Sequence, residues 1–111
     1  MPKKITEFSA WVNRIELTGR VSSEAQTIEL PSDDPLVKFR IVVPRLKPVT
    51  KATVDTLDCV AFKSVAIRKI NKLKIGDIVT VTGQLRRRFW KTGAGVASRV
   101  EIEVDSIKKS G

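Results

Sequence analysis

The stretch IVTVTGQLRRRFWKTGAGVASRVEIEV, residues 78–104, decides the fold. Apolar side chains occupy alternate positions at its start, and the alternation returns at Val100, Ile102 and Val104. Because successive side chains of a β-strand point to opposite faces, each half predicts a strand with one apolar and one polar face. Residues 91–95, Lys-Thr-Gly-Ala-Gly, lie between the halves and carry the glycines that a tight turn favours. The stretch therefore predicts a β-hairpin.

Basic and aromatic side chains lie at the far end of the first strand of this hairpin. If the strand stays regular, Arg86, Arg88 and Trp90 stand side by side on its non-core face. Two guanidinium groups beside an exposed indole suit a partner that is both anionic and aromatic, as nucleic acid is. For Trp90 we favour base stacking over a hydrophobic contact between subunits. Phe89 has the opposite parity, which favours the core over a nucleic-acid contact.

Composition limits the classes of function that remain. The chain has 111 residues, 21 Lys and Arg against 12 Asp and Glu, a formal net charge of +9, no histidine and one cysteine. So basic a single domain attracts polyanions, with nucleic acid, acidic membrane surfaces and acidic proteins as alternatives. Without histidine there is no Ser–His–Asp triad, and Cys59 alone cannot build a zinc cluster. We expect no enzyme activity, no cofactor and no metal, although carboxylate-only metal sites stay open.

The rest of the chain predicts an all-β fold with one helix. The elements before the hairpin are strands at 11–21, 36–43 and 56–62, a possible short strand around Thr27–Leu30 before a turn at 32–35, and a helix within 63–75. The helix, of about ten residues, follows from the spacing of Ala66, Ile70 and Leu73 and ends at Gly76-Asp77. Five main strands with a helix between the third and fourth are the plan of an OB-fold, a five-stranded Greek-key barrel.

Four blocks of the sequence resemble the bacterial single-stranded DNA-binding protein family. They are NRIELTGRV (13–21), VKFRIVV (37–43), LDCVAF (57–62) and IGDIVTVTGQLRRRFW (75–90). The most specific motif runs from Gly83-Gln84-Leu85 to Trp90. The resemblance implies an OB-fold domain at 12–107, between a flexible lead at 1–11 and a short tail at 108–111. It also implies binding of single-stranded DNA without strong sequence preference, a homo-oligomer (tetramer or dimer), and a cytoplasmic, nucleoid-associated role in DNA replication, recombination or repair.

Position by position, the resemblance implies that Phe62 and Trp90 stack on bases. From its strand alone, Phe62 could instead lie in the core between strand and helix. Thr56 stands where the family has a tryptophan, and Leu46 or Lys47 stands near another. The family's acidic C-terminal tail is missing, which suggests a shortened variant. The predicted nucleic-acid contacts are Trp90, Phe62, Arg86, Arg88, Lys91, Arg40, Lys38, Arg45, Lys47 and Arg99. The basic residues in and after the second strand, a region nearly free of acids, are either phosphate contacts or a solvated face.

Two other functions stay open, RNA or ribosome association and a scaffold for a protein partner with weakened DNA affinity. We expect no membrane partner, because no segment is a convincing amphipathic basic helix with bulky aromatics. We also expect no small-molecule substrate. Phe39 and Cys59 are expected in the core, Cys59 without a redox role, and Trp11 at the barrel end or a subunit contact.

Overall fold

The computed structural model describes residues 10–29, 34–47 and 49–110. These residues form six strands and one helix. In chain order they are β1 (Ile15–Val21), β2 (Gln26–Glu29), β3 (Pro35–Pro44), β4 (Val54–Ala61), α1 (Ser64–Ile70), β5 (Ile78–Thr92) and β6 (Gly95–Lys109). The short strand predicted around Thr27–Leu30 is therefore present as β2. Leu30, the first half of the turn predicted at 32–35 and most of the lead at 1–11 lie outside the described residues.

Five of the strands close into a barrel. The neighbours run β1-β5-β6-β4-β3, and β3 returns to β1 through the pairs Arg20↔Val42 and Val21↔Ile41. All the strand pairs are antiparallel except β4 with β6, which join in parallel at Cys59↔Ile102 and Val60↔Glu103. The short strand β2 lies outside the ring, on β3. The predicted OB-fold, a five-stranded barrel with its helix after the third main strand, is confirmed.

The core follows the alternation in the sequence. On β3 the side chains of Val37, Phe39 and Ile41 are buried, and on β5 those of Val79 and Val81 are fully buried. Alternate positions supply the core because the other face of each strand points out of the barrel. The expected core positions of Phe39 and Cys59 are both confirmed.

The helix is shorter than the predicted length of about ten residues. It covers Ser64–Ile70 and buries Ala66 and Ile70 in the core. The chain then tightens, since the Leu73 amide donates to the Ile70 carbonyl at 3.0 Å instead of to the residue four positions back. Leu73 still packs against the core, so the predicted apolar phase is correct and only the helix end is wrong. Gly76, with φ +99°, reverses the chain into β5.

The predicted hairpin is confirmed as β5 and β6, and both strands run past the barrel. β5 pairs with β1 only over Ile78–Gly83, and β6 pairs with β4 only at Ile102 and Glu103. Beyond these pairings, residues 86–100 form a free-standing two-stranded ribbon, here called the ribbon. Asp105 is an extra residue opposite the Thr82/Gly83 step, a bulge that increases the local twist where the ribbon leaves the barrel.

Candidate nucleic-acid interface

The register of β5 and β6 gives the ribbon two faces. On one face Arg86 lies opposite Glu101, Arg88 opposite Arg99 and Trp90 opposite Ala97. Directly opposed residues of an antiparallel pair share a face, so Arg86, Arg88 and Trp90 stand together as predicted. We call this the Trp90 face. The Arg88 guanidinium carbon lies 5.8 Å from the centroid of the Trp90 ring, within the range of a cation–π contact.

The barrel extends the Trp90 face. Lys38 on β3 joins Arg88, Trp90 and Arg99 in lining an open cleft of about 430 Å³, here called the Trp90 cleft. The indole is 40% exposed, so one of its surfaces is available to a ligand. The fold thus brings Lys38 and Arg99 together, although they are 61 positions apart in the sequence (99 − 38).

A second groove, of about 500 Å³, continues from this cleft across the barrel toward β2. It shares Lys38 and Arg99 with the Trp90 cleft and adds Arg40 on β3. Ser23 lies on its wall, where its hydroxyl accepts a hydrogen bond of 2.8 Å from the Arg40 amide. Together the two grooves form a polar path from the ribbon to β2 with cations along it.

Carboxylates from β4 and β6 lie between these cations, a feature that the sequence did not reveal. Along the Trp90 face and the two grooves, five predicted contact residues form ion pairs: Arg40 with Asp58 at 2.8 Å, Arg88 with Glu101 at 3.3 Å, Arg86 with Glu103 at 3.7 Å, and Lys38 with Glu101 and Arg99 with Asp58 at 3.9 Å each. The stretch in and after β3 is nearly free of acids in the sequence, but the neighbouring strands bring acids next to its cations. The pairs made by Asp58 and Glu103 are partly exposed and contribute only about 0–1 kcal/mol each, so a phosphate can replace the carboxylate there.

Glu101 is the carboxylate at the centre of this arrangement, and its side chain is only 4% exposed. Its two oxygens face Arg88, whose Nη2 donates a long bond of 3.4 Å to Oε2. Arg88 Nε lies 3.3 Å from Oε1, yet its N–H has no well-directed acceptor among the described residues. Arg88 is thus held to Glu101 by charge more than by hydrogen-bond geometry.

Phe62 lies apart from the Trp90 cleft. It follows the last residue of β4, and its ring is 45% exposed, which fits the outward orientation that the resemblance implies. Its side chain lines neither groove. The stacking role predicted for Phe62 stays a prediction, and it would require a strand that passes over a separate part of the barrel.

The predicted contacts of the loop after β3 are also outside the cleft. Arg45 donates to Asp55 Oδ1 from Nε at 3.1 Å and from Nη2 at 2.9 Å, which fixes its side chain to β4. Lys47 is exposed, as are Leu46 and Thr56, the positions where the resemblance implies tryptophans. The loop therefore presents charge without aromatic rings.

Two residues of the ribbon differ from their predicted placement. Lys91 lies opposite Val96 and has the parity of Phe89, so it stands on the face away from Trp90. Phe89 is 64% exposed and not in the core. Its parity was identified correctly, but the barrel ends before residue 86 and the ribbon has no core to fill. The length of the return strand, which continues for 15 residues, was the available signal.

Neither a metal site nor a membrane span is found in the part of the chain that the structure describes. No group of three or more Cys, Asp or Glu side chains is placed to hold a metal ion there, and no helix there is long and apolar enough to cross a membrane. Cys59 is a buried free thiol, and its burial, followed by the charges of Asp58 and Glu101, raises its pKa to about 12.

Comparison with known proteins gives one family and one similar structure. A sequence model of the single-strand binding protein family matches residues 12–110. The fold is similar to that of a solved Plasmodium falciparum SSB complex with ssDNA, with a TM-score of 0.75 and 23% identity, over 91% of this chain and 97% of that chain. No match was found among curated protein sequences. At this identity the structural likeness supports the fold, while the family match covers most of the chain.

Proposed function

The chain belongs to the single-strand binding protein family, and we propose that it binds single-stranded DNA with little sequence preference. One observation carries the proposal. The Trp90 cleft places a partly exposed indole among the cations of Lys38, Arg88 and Arg99. A base has a π-face for the indole, and its flanking phosphates have negative charge for the cations.

Trp90 supplies the stacking surface. Arg88 lies against the indole at 5.8 Å, so a base stacks on the remaining exposed part of the ring. Every base has a π-face, and stacking therefore discriminates little between sequences. Arg99 and Lys38 line the same cleft and would hold the phosphates on either side of the stacked base.

The cations exchange their carboxylate partners for phosphates when the strand binds. Arg40 and Arg99 both contact Asp58, while Lys38 and Arg88 both contact Glu101. Each acid is thus shared by two cations, which leaves part of their charge for a polyanion. Binding should weaken with salt, with a log–log slope of about −0.7 per phosphate neutralised on a single strand.

The strand would continue past the Trp90 cleft in both directions. Arg86 extends the cations of the Trp90 face, and the groove lined by Arg40 leads toward β2. We include Phe62, Arg45 and Lys47 as contacts further along the barrel, with Phe62 as a second stacking ring. Binding through stacking and charge makes and breaks no covalent bond, so the proposal assigns no catalytic residue.

A titration with oligothymidine at low salt tests the proposal. Tryptophan fluorescence should be quenched, and repeating the titration over a salt series should give a linear log–log plot. Loss of all binding at low salt would exclude the function. Oligouridine of the same length serves as the RNA arm, and clearly tighter binding of that probe would favour RNA as the natural ligand.

We further propose that the protein acts as a homo-oligomer in DNA replication, recombination or repair, where single strands are exposed. Support for self-association comes from β1, whose second edge pairs with β3 only at Arg20 and Val21 among the described residues. The edge of residues 15–18 is thus free to pair with another strand, whereas Gly19 already lies against the Val42 carbonyl. Sedimentation equilibrium of the free protein measures the mass, and a monomer over the working concentration range would contradict the assembly.

A further inference from the structure

The second face of the ribbon has a composition of its own. Along β5 it presents Arg87, Phe89 and Lys91, and opposite them on β6 it presents Val100, Ser98 and Val96. We call these six residues the Phe89 face. Phe89 is more exposed than Trp90, at 64% against 40%. Like the Trp90 face, the Phe89 face thus combines an exposed aromatic ring with basic side chains.

The charge on the Phe89 face is unopposed. None of its six residues is acidic, and neither Arg87 nor Lys91 forms an ion pair with any described residue. Arg87 Nη1 donates one hydrogen bond of 3.0 Å, to the hydroxyl of Ser98. On the Trp90 face, by contrast, Glu101 and Glu103 are paired with the arginines. The Phe89 face therefore offers a polyanion two cations without a competing carboxylate.

A second copy of this chain fits the face less well than a polyanion does. In a symmetric contact through this face, each copy would bring Arg87 and Lys91 to the other without a carboxylate to meet them. Like charges placed together in this way oppose association. Charge complementarity thus favours an anionic occupant, and the exposed ring favours one with bases.

We propose that the Phe89 face is a second stacking site for the same single strand, which crosses the edge of the ribbon after leaving Trp90. This inference rests on the proposed function. Phe89 and Trp90 are consecutive residues of β5, so their rings lie on opposite faces of the ribbon. A DNA strand can therefore pass from one ring to the other by a short path around the edge of β5. That edge is open, because β5 pairs with β1 only as far as Gly83. The DNA strand therefore contacts both faces of the ribbon, and the rings of Trp90 and Phe89 each stack on one base.

A pair of single-indole variants tests the site directly. The reference variant is Trp11→Phe, which leaves Trp90 as its one indole. The test variant is Trp11→Phe, Phe89→Trp, Trp90→Phe, which moves the indole to the opposite face. With a long oligothymidine, of about 16 nucleotides and so at the upper end of the site sizes of OB-folds, the fluorescence of both variants should be quenched. Quenching of the reference alone would overturn the second site, and quenching of neither would overturn the proposed function itself.

Removal of the ring should weaken binding in a way that removal of an aliphatic side chain does not. Phe89→Ala should lower the affinity for the long oligothymidine by roughly 5- to 150-fold, the range that corresponds to one stacked base. Ile75→Ala is the control, because this exposed aliphatic side chain lies in the turn before β5, outside the ribbon and both grooves, and it should leave the affinity unchanged. Because both side chains are exposed, neither substitution should move the thermal midpoint. Equal affinities of Phe89→Ala and the wild type would refute the inference.

The mass of the protein distinguishes a strand-binding face from a contact between copies. Sedimentation equilibrium of Phe89→Ala in the absence of DNA should give the same mass as the wild type. If the substitution instead converts an oligomer to a smaller species, the face is an interface between copies and the inference is wrong. Arg87→Gln adds a charge test, since the log–log salt slope should become shallower by about 0.7 for each phosphate that Arg87 neutralises in the wild type.

Discussion

β5 and β6 behave differently in the barrel and in the ribbon. Within the barrel one face of each strand is buried, and Val79 and Val81 have no exposed surface. In the ribbon both faces are accessible, and they carry Phe89, Trp90 and four arginines within 15 residues. A two-stranded ribbon alone has marginal stability in water, so it must be held in place by the barrel portions of its own strands. Stability and ligand contact are thus separated along one hairpin.

Two substitutions on one face of β6 should show the largest contrast between these regions. Ile102→Ala removes a side chain that is 3% exposed and should lower the free energy of unfolding by about 2–5 kcal/mol. Val100→Ala, two residues earlier in the ribbon at 41% exposure, should change it by no more than about 0.5 kcal/mol. Urea denaturation measures both. Equal losses would mean that the ribbon has a packed partner in solution and that the separation is wrong.

Trp90→Ala should give the opposite result, a loss of binding without a loss of stability. Removing the indole eliminates a stacked base, which corresponds to about 1–3 kcal/mol of binding free energy for oligothymidine. Trp90→Phe, which keeps a π-face, should recover most of the affinity. Fluorescence anisotropy of a labelled oligonucleotide measures binding independently of the tryptophans. An unfolding midpoint that falls for Trp90→Ala as it does for Ile102→Ala would contradict the division of roles.

The alternation of Val79 and Val81 predicted the hairpin, and the motif that ends at Trp90 predicted its binding face, because both depend on neighbours within one strand. The failure at Phe89 has a physical cause. Parity shows which face a side chain occupies, but only the closure of the barrel determines where that face stops being a core. The helix end at Ile70 was missed for a similar reason, since a tighter turn brings Leu73 to the core without another helical turn.

Local sequence patterns could not predict which acids pair with the cations of the binding surface. Glu101 was recognised as a polar residue of the return strand, but its position between Lys38 and Arg88 depends on β4 joining β6 in parallel and β3 joining β4. Glu101 is 63 residues from Lys38 in the sequence (101 − 38) and 13 residues from Arg88 (101 − 88). They make Glu101 part of both regions compared above, buried like a barrel residue and paired with a cation of the ribbon.

Glu101→Gln should therefore affect stability and binding in opposite directions. Removing a buried carboxylate leaves Arg88 and Lys38 without their partner and should cost about 1–2 kcal/mol of unfolding free energy, less than a fully buried pair because both cations are partly exposed. The cleft gains one unit of positive charge, so low-salt binding of oligothymidine should strengthen by roughly 0.5–1 kcal/mol.

Glu103→Gln is the matched control for that substitution. Its partner Arg86 is 3.7 Å away and well exposed, so unfolding should change by about 0.5 kcal/mol or less. A glutamine at 103 can still accept the hydrogen bond that Gln84 Nε2 donates at 2.8 Å. If Glu101→Gln weakens binding, the carboxylate acts chiefly by orienting Arg88 and not by competing with phosphate.

The last comparison is between two thiols, the native Cys59 in the barrel and an introduced Ser98→Cys in the ribbon. Introducing the second thiol should change the free energy of unfolding least, while the two thiols should differ most in accessibility to a reagent. Burial first, and then Asp58 and Glu101, raise the pKa of Cys59 from 9.0 to about 12. The neutral thiol's contribution to stability is fully present below pH 9.0 and is lost as pH rises toward about 12. At pH 8 Cys59 should thus react with a disulfide reagent only when the barrel opens, since the thiolate is the nucleophile.

Ser98→Cys places the matching thiol in the ribbon, where the side chain is exposed and Arg87 Nη1 lies 3.0 Å from the native hydroxyl. A nearby guanidinium favours the thiolate, so this cysteine should be labelled in native buffer at the rate of an accessible thiol or faster. Bound oligothymidine should slow its labelling directly, because the proposed wrapping of the DNA covers the ribbon. The labelling of Cys59 should slow only as far as bound DNA stabilises the folded protein against opening. Unchanged labelling of Ser98→Cys at saturating oligothymidine would contradict the wrapping of the ribbon.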